Sequence, residues 1–214
     1  HAYRRRGCPA VRHSDAYRAA YAPAYRVVSS LFADAFELIA RMDRLKKGIV
    51  AIDGPCASAK STLGAALGEV FRACVVPLDD FFLQPFQRTK ERLAEPGGNF
   101  DRERFLSEAL LPLANGRDFS YRPYNCADQV LGEPVTVRAT PLCIVEGVYC
   151  QHPLLRSYYD LKAALRVDPE EQAKRLLRRN GPDMLKRFEA EWIPMENAYF
   201  KAFLKERVSA ASPT

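Results

Sequence analysis

Residues 49–62 constrain this chain more than any other stretch, because their glycine, lysine and serine stand at fixed distances after an apolar run. Gly54 is followed after four residues by Ala59, Lys60 and Ser61, which is the Walker A spacing with alanine in place of its second glycine. The apolar residues before this motif predict a strand, and the small residues after it predict a helix. The pattern therefore predicts a phosphate-binding loop between a strand and a helix.

Successive backbone amides that open onto a helix N-terminus form a concave set of donors for phosphate oxygens. In such a loop Lys60 would reach the β- and γ-phosphates, and the Ser61 hydroxyl would be a ligand of Mg²⁺. The alternative is an ordinary glycine-containing turn between a strand and a helix. We predict ATP and Mg²⁺ as cofactors, with nucleotide contacts from Gly54, Ala57, Ser58, Ala59, Lys60, Ser61 and Thr62.

Ala59 departs from the motif at a position where glycine tolerates positive φ and close backbone approach. A Cβ there adds strain of about 1 kcal/mol or more. Two interpretations follow: the loop adopts a conformation that alanine tolerates, or nucleotide binding is impaired.

The positive charge of this chain is concentrated near its N-terminus. The net charge is +6, and residues 1–47 hold ten Lys or Arg against four acids, whereas the remainder is balanced. Residues 1–27 form a basic arm that could contact RNA or an acidic partner, but a short basic arm is more often a solvated terminus. We therefore do not predict a nucleic-acid partner.

The cysteines and the hydropathy indicate a cytoplasmic protein. Six cysteines show no Cys-x-x-Cys pair and no zinc-ligand spacing, which favours reduced thiols. The sequence contains no apolar run of about eighteen residues and no signal-peptide pattern, so we expect neither a membrane span nor secretion.

Apolar and polar periodicity predicts one domain over residues 28–208, followed by a tail at 209–214. An amphipathic helix is expected at 28–46, and a second strand at 74–78 that ends at Asp79 and Asp80. Residues 84–100 form a long irregular stretch, which is typical of a substrate enclosure.

Helices and strands are also predicted in the later part of the domain. We predict a helix at 101–111 ended by Pro112, strands and turns at 121–137, and a buried strand at 142–146 that ends on Glu146. A short strand at 165–167 precedes a helix, and a lid is expected at about 178–190 before a final helical stretch, 183–208, that Pro194 interrupts.

Strands that alternate with helices predict an α/β fold of three layers, with a mostly parallel sheet, helices on both faces and a small lid. Right-handed crossovers place the carboxyl ends of parallel strands at one edge of the sheet. We therefore expect the Gly54 loop, Asp79 and Glu146 to converge there.

The chain resembles the uridine kinase-like family of P-loop kinases, with pantothenate kinase and phosphoribulokinase as more distant relatives. The resemblance runs from about residue 48 to residue 203. It is carried by the loop at 53–62, Leu-Asp-Asp-Phe-Phe at 78–82, Asn-Phe-Asp at 99–101, Tyr-Arg-Pro-Tyr at 121–124, Val-Glu-Gly-Val-Tyr at 145–149 and Arg-Leu-Leu-Arg at 175–178.

The resemblance implies a role for several acids. Asp79 would be the catalytic base that accepts the proton of the attacking hydroxyl, with Asp80 as the alternate base and turn capping as the alternative role for both. Glu146 would lie near Mg²⁺ beside Ser61, usually through water. Asp101 would bind ribose hydroxyls.

Aromatic and basic residues complete the implied site. Phe100 and Tyr124 match aromatics near the base of the acceptor, although core packing is an equal alternative. Arg175 and Arg178 match arginines near the transferring phosphate, where solvated helix charges are the alternative. With Lys60 and Asp79, these two arginines make up the predicted catalytic set.

The chain departs from the family pattern at Ala59, at Gln129 in place of a histidine, and in the lid at 180–183. The predicted function is transfer of the ATP γ-phosphoryl group to a primary hydroxyl of a small molecule, uridine or cytidine. The alternatives are an impaired nucleotide-binding protein and a kinase for a non-nucleoside acceptor of the pantothenate or ribulose-phosphate type. The sequence leaves a homo-oligomer open.

Overall fold

A computed structural model describes residues 35–204. The basic arm at 1–27, residues 28–34 of the predicted first helix, and the C-terminal tail lie outside the described residues. Among residues 35–204, no helix has the length and apolarity needed to cross a bilayer.

The central sheet consists of four parallel strands, β1 (Gly48–Asp53), β2 (Cys74–Pro77), β7 (Leu142–Glu146) and β8 (Leu161–Ala164). Their order across the sheet is β2-β7-β1-β8. Two small antiparallel pairs join β3 (Phe119–Tyr121) to β6 (Val135–Val137) and β4 (Tyr124–Asn125) to β5 (Val130–Leu131).

The α-helices of the described residues lie before, between and after the strands. They are α1 (Phe36–Leu45), α2 (Lys60–Phe71), α3 (Lys90–Ala94), α4 (Arg102–Phe105), α5 (Leu111–Ala114), α6 (Pro169–Asn180), α7 (Pro182–Arg187) and α8 (Ile193–Phe203). Short 3₁₀ turns lie at Leu78–Phe81, Pro85–Gln87 and Arg156–Tyr158.

Side chains of β1 alternate between the two faces of the sheet, as the period of two in a strand requires. Val50 and Ile52 pack with α1 and α2, while Ile49 and Ala51 pack with the helices of the opposite face and with Tyr199 of α8. Both faces are therefore covered, and the predicted three-layer α/β fold is confirmed.

Two prolines do not end their helices, because a widened helical turn precedes each of them. A π-helical turn at Leu106–Leu110 precedes Pro112, and another at Phe188–Trp192 precedes Pro194. Proline lacks an N–H and its ring clashes with the carbonyl four residues earlier, and a wider turn accommodates both effects. The expectation that Pro112 ends its helix was wrong, since α5 continues to Ala114.

The expected strand at residues 165–167 was also placed wrongly. The edge strand is Leu161–Ala164, where only one side is paired and the side chains are partly exposed, so its apolar signal is weak. The Leu165 amide still donates to the Asp53 carbonyl, after which the chain leaves the sheet toward α6. The second strand likewise ends at Pro77, one residue earlier than expected.

Gly147 allows the chain after β7 to approach the chain after β2. Its φ is +148°, and a Cβ built there would lie 2.6 Å from the Leu78 Cβ. We expect Gly147→Ala to lower the free energy of unfolding by about 2 kcal/mol or more, because strain and overlap add. Thermal denaturation measures this change.

Gly116→Ala is the matched control, since φ is +63° there and nothing lies within 4 Å of the added Cβ. It should lower the free energy of unfolding by only about 1 kcal/mol. Equal losses for the two variants would contradict the close approach of Gly147 to Leu78.

Candidate active site

The loop between β1 and α2 begins at a glycine that the backbone requires. Gly54 has φ +151°, and an added Cβ would lie 2.8 Å from the Ser58 Oγ and 3.0 Å from the Leu165 carbonyl oxygen. Its amide donates to the Asp53 carboxylate at 2.7 Å. Asp53 thus secures the point at which the strand becomes the loop.

The loop presents free donors from Ala57 onward. The Ser58 amide bonds the Pro55 carbonyl, and the Cys56 amide bonds the Glu196 carboxylate. Hydrogen bonds among residues 35–204 leave other amides of this segment without an acceptor, as expected at a helix N-terminus. These are the amides of Ala57, Ala59, Lys60, Ser61 and Thr62.

Lys60 lies across this cradle of amides. Its side chain is largely buried, and Nζ donates to the Pro55 carbonyl at 2.9 Å. The Ser58 hydroxyl is fully buried and has no hydrogen-bond partner within the described residues. The cradle therefore combines free amides with one cation, which suits a polyanionic phosphate chain.

Ala59 adopts the left-handed conformation, with φ 68° and ψ 25°. Ala57 is left-handed as well, with φ 59°. Such a conformation costs an L-residue about 1–2 kcal/mol. Ala59 thus occupies, under strain, a backbone conformation that favours glycine.

Ser61 and Glu146 meet beside the cradle. The Ser61 Oγ donates to the Glu146 Oε2 at 3.1 Å, and burial raises the pKa of Glu146, with the neighbouring Asp79 raising it further. Among the described residues no cluster of three His, Cys, Asp or Glu could hold a metal by itself. One hydroxyl and one carboxylate nevertheless fit Mg²⁺, because that ion is usually held by one or two carboxylates together with phosphates and water.

Asp79 and Asp80 follow β2, and Asp79 is the more exposed of the two. The Asp80 Oδ2 accepts the Tyr121 hydroxyl at 2.6 Å, and its carbonyl accepts Arg104. Desolvation by surrounding protein atoms raises the pKa of Asp79, although the residue keeps exposed surface. The geometry therefore favours Asp79 over Asp80 as a base.

Three residues predicted to contact the acceptor are buried in this structure. Phe100 is 1% exposed and stacks on Tyr149, with ring centroids 5.9 Å apart. Asp101 caps α4 through the Arg104 amide and accepts from Gln87 at 2.8 Å. Their role in binding an acceptor stays a prediction.

Tyr124 is the third of these contacts. It is 4% exposed, and its hydroxyl accepts a bond from Arg88 at 3.2 Å. Core packing therefore accounts for Phe100 and for much of Tyr124 in this structure.

The two predicted arginines differ in position. Arg175 donates to the Ala57 carbonyl at 3.2 Å and pairs with Glu171 at 2.8 Å, so it lies against the loop. Arg178 is exposed on α6. Arg179 is exposed on α6 as well, and its charge lies close enough to act on Asp79 and partly offset the rise in the pKa of that carboxyl.

Sequence reasoning missed the buried side chains that form hydrogen bonds at the end of β1 and at the start of the loop. Asp53 carried a signal, as an acid at the end of an apolar strand directly before the loop glycine. Glu196 and Tyr199 carried none, because they are more than 130 residues away and resemble any polar positions of an amphipathic helix.

Comparisons with known proteins bear on the fold. No protein-family model and no curated protein matches the sequence. The structure is similar to that of a possible uridine kinase from Bacillus stearothermophilus, with a TM-score of 0.57 and 20% identity over 81% of this chain and 98% of that chain. It is also similar to a proposed fructose transport system kinase from Silicibacter sp. TM1040, with a TM-score of 0.64 and 23% identity over 84% of this chain and 96% of that chain.

These similarities show that the chain has the fold of P-loop kinases. At such low identity they do not extend to activity or substrate. Function must therefore be argued from the site itself.

The backbone strain assigned to Ala59 can be tested by substitution with glycine. Because glycine relieves the left-handed strain, we expect Ala59→Gly to raise the free energy of unfolding by up to about 1 kcal/mol and to tighten Mg-ATP binding several-fold. Thermal denaturation and calorimetric titration measure the two effects.

Ala65→Gly makes the same chemical change at an exposed position inside α2, where it should cost about 1 kcal/mol. A loss of stability in Ala59→Gly equal to that of this control would contradict the assigned backbone strain.

Proposed function

We propose that this chain is a Mg²⁺-dependent kinase that transfers the ATP γ-phosphoryl group to a primary hydroxyl of a small molecule. The observation that carries the proposal is the contact of Ser61 with Glu146 beside a cradle of unpaired amides. Asp79 follows the neighbouring strand β2, which pairs with β7, so all of these groups lie at one edge of the sheet.

The chain's own groups account for the steps of transfer. The free amides and Lys60 hold the phosphates, which requires Lys60 to exchange the Pro55 carbonyl for a phosphate oxygen. Mg²⁺, when bound near Ser61 and Glu146, supplies charge neutralisation on the phosphates. Asp79 accepts the proton of the attacking hydroxyl, and Arg175 stabilises the developing negative charge.

For the acceptor, we propose a nucleoside, uridine or cytidine. The support is the resemblance of the motifs at 78–82, 99–101 and 121–124 to uridine kinase-like enzymes. In this structure both carboxylate oxygens of Asp101 already have protein partners. Each of these oxygens can accept a second hydrogen bond, so binding of a ribose by Asp101 depends on access to a carboxylate that is buried in this structure.

A second candidate rests on Ala59. Its left-handed backbone is consistent with a nucleotide-binding protein whose affinity or turnover is impaired. Full turnover by the unmodified chain would rule this candidate out.

An ADP-release assay with Mg-ATP tests the kinase proposal against a panel of nucleosides, pantothenate, ribulose phosphate and simple alcohols. We expect turnover with a nucleoside, and we expect Asp79→Asn to lower it about 100- to 10,000-fold because the base is lost. Lys60→Ala should lower it about 100-fold or more because phosphate charge goes unmatched.

Glu133→Gln and Lys201→Ala are matched controls at exposed positions and should retain turnover. Turnover that survives both Asp79→Asn and Lys60→Ala would contradict the mechanism. ADP release with pantothenate or ribulose phosphate alone would replace the nucleoside assignment.

The pKa of Asp79 generates a pH prediction. Burial raises this pKa and the Asp80 carboxylate raises it further, so kcat/KM should fall on acidification at a higher pH than for an ordinary aspartate base. Asp80→Asn removes the like charge and should shift this acidic limb to lower pH. An unmoved limb in the kcat/KM profile would show that Asp80 does not act on the base.

A further inference from the structure

The last helix, α8, reaches the base of the phosphate loop through two buried side chains. The Glu196 Oε2 accepts the Cys56 amide at 2.9 Å, and the Tyr199 hydroxyl donates to the Asp53 Oδ2 at 2.7 Å. Glu196 is 4% exposed and Tyr199 is fully buried. Residues three apart lie on one face of a helix, so a single face of α8 holds both the strand end and the loop.

The Asp53 carboxylate, at the end of β1, accepts several hydrogen bonds. Besides Tyr199, its carboxylate accepts the Gln151 amide at 2.9 Å and the Gly54 amide at 2.7 Å. Three donors to one buried carboxylate offset the cost of removing that charge from water. The strand end is therefore held by the last helix and by the chain that follows β7.

Helix α6 holds the same part of the loop from another side. The Gln172 Nε2 donates to the Cys56 carbonyl at 2.9 Å, and Arg175 donates to the Ala57 carbonyl. The N–H and the C=O of Cys56 are thus each bound by a buried side chain, from α8 and α6 respectively. Helix α7 and the turn at Phe188–Trp192 connect these two helices, so the helices that flank the expected lid both contact the loop.

Stability alone is a weak reason for burying Glu196. A carboxylate taken out of water costs several kcal/mol unless it is fully paired, and an apolar side chain would fill the space more cheaply. Among residues 35–204 the Glu196 carboxylate accepts the Cys56 amide, and the Lys60 cation lies near enough to favour the charged form of Glu196. These observations place Glu196 where it acts on the shape of the loop.

We propose that Glu196 and Tyr199 are positioning residues that hold the first half of the loop, residues 53–57, so that the amides of the second half face outward for phosphate. They touch neither the phosphate nor the acceptor, and they act through Cys56 and Asp53. This inference rests on the proposed function only in its consequence for ATP, because the effect on the loop exists without nucleotide.

Hydrogen–deuterium exchange of the ligand-free protein tests the positioning directly. Hydrogen bonds to charged groups correspond to about 10- to 100-fold in an equilibrium constant, so Glu196→Ala should speed exchange of the Cys56 amide by about that factor. Glu196→Gln keeps an oxygen acceptor and should restore most of the protection. Glu189→Ala, at an exposed position in the turn before α8, is the control and should change nothing in the loop.

Titration with Mg-ATP and steady-state kinetics supply the functional readout. We expect Glu196→Ala to raise KM for ATP about 10-fold or more while KM for the acceptor stays within about twofold, with Glu196→Gln near the unmodified protein. Tyr199→Phe removes one oxygen atom and should speed exchange at the loop in the same direction. If Glu196→Ala does not fold, loop exchange in Tyr199→Phe tests the positioning inference instead.

The outcomes separate the two proposals. Unchanged loop exchange in both Glu196→Ala and Tyr199→Phe overturns the positioning inference, as does a uniform loss of protection across the sheet, which would indicate general destabilisation. Faster exchange confined to the loop supports it. If the unmodified protein binds no Mg-ATP but the exchange pattern appears, the kinase proposal fails and the positioning inference stands.

Discussion

The parallel pairing of β1 with β7 on one side and β8 on the other determines where every group of the site lies. In this register Ile52 is level with Glu146, and Pro77 of β2 is level with the same residue. The carboxyl ends of three strands therefore meet within one residue of each other. Because side chains on a sheet alternate between faces, a slip of one residue would turn Glu146 away from Ser61.

The loop combines local strain with support from distant side chains. Two alanines, Ala57 and Ala59, have left-handed backbone conformations, which an unconstrained turn would not keep. Such strain persists only where the surrounding structure over-determines the conformation. Asp53, Gln172 and Glu196 form hydrogen bonds with the backbone of Gly54 and Cys56, next to these strained residues.

The proposed use of backbone amides and Mg²⁺ for phosphate binding agrees with the electrostatics of the site. Burial raises the pKa values of Asp79, Glu146 and Glu196, while Lys60 is the lysine whose charge acts on all three. Free amides carry partial positive charge without adding a further cation to the site. A phosphate chain that arrives with Mg²⁺ would relieve the mutual repulsion of these acids.

Sequence reasoning was strongest where chemistry and short-range pattern coincide. The spacing of Gly54, Lys60 and Ser61 predicts the strand, loop and helix that the structure shows, and the acids that close β2 and β7 lie near that loop as expected. It was weakest where the pattern is faint, as at β8, whose one-sided pairing leaves little apolar signal.

The sequence by itself determined the order of strands and helices and the kinds of side chain available for phosphate, metal and proton transfer, because spacing and periodicity are local properties. Tertiary structure alone decided which groups remain free. It engages Asp80 with Tyr121, closes Phe100 into the core, and brings Glu196 to Cys56. These pairings depend on packing between segments far apart in the chain, and no local pattern encodes them.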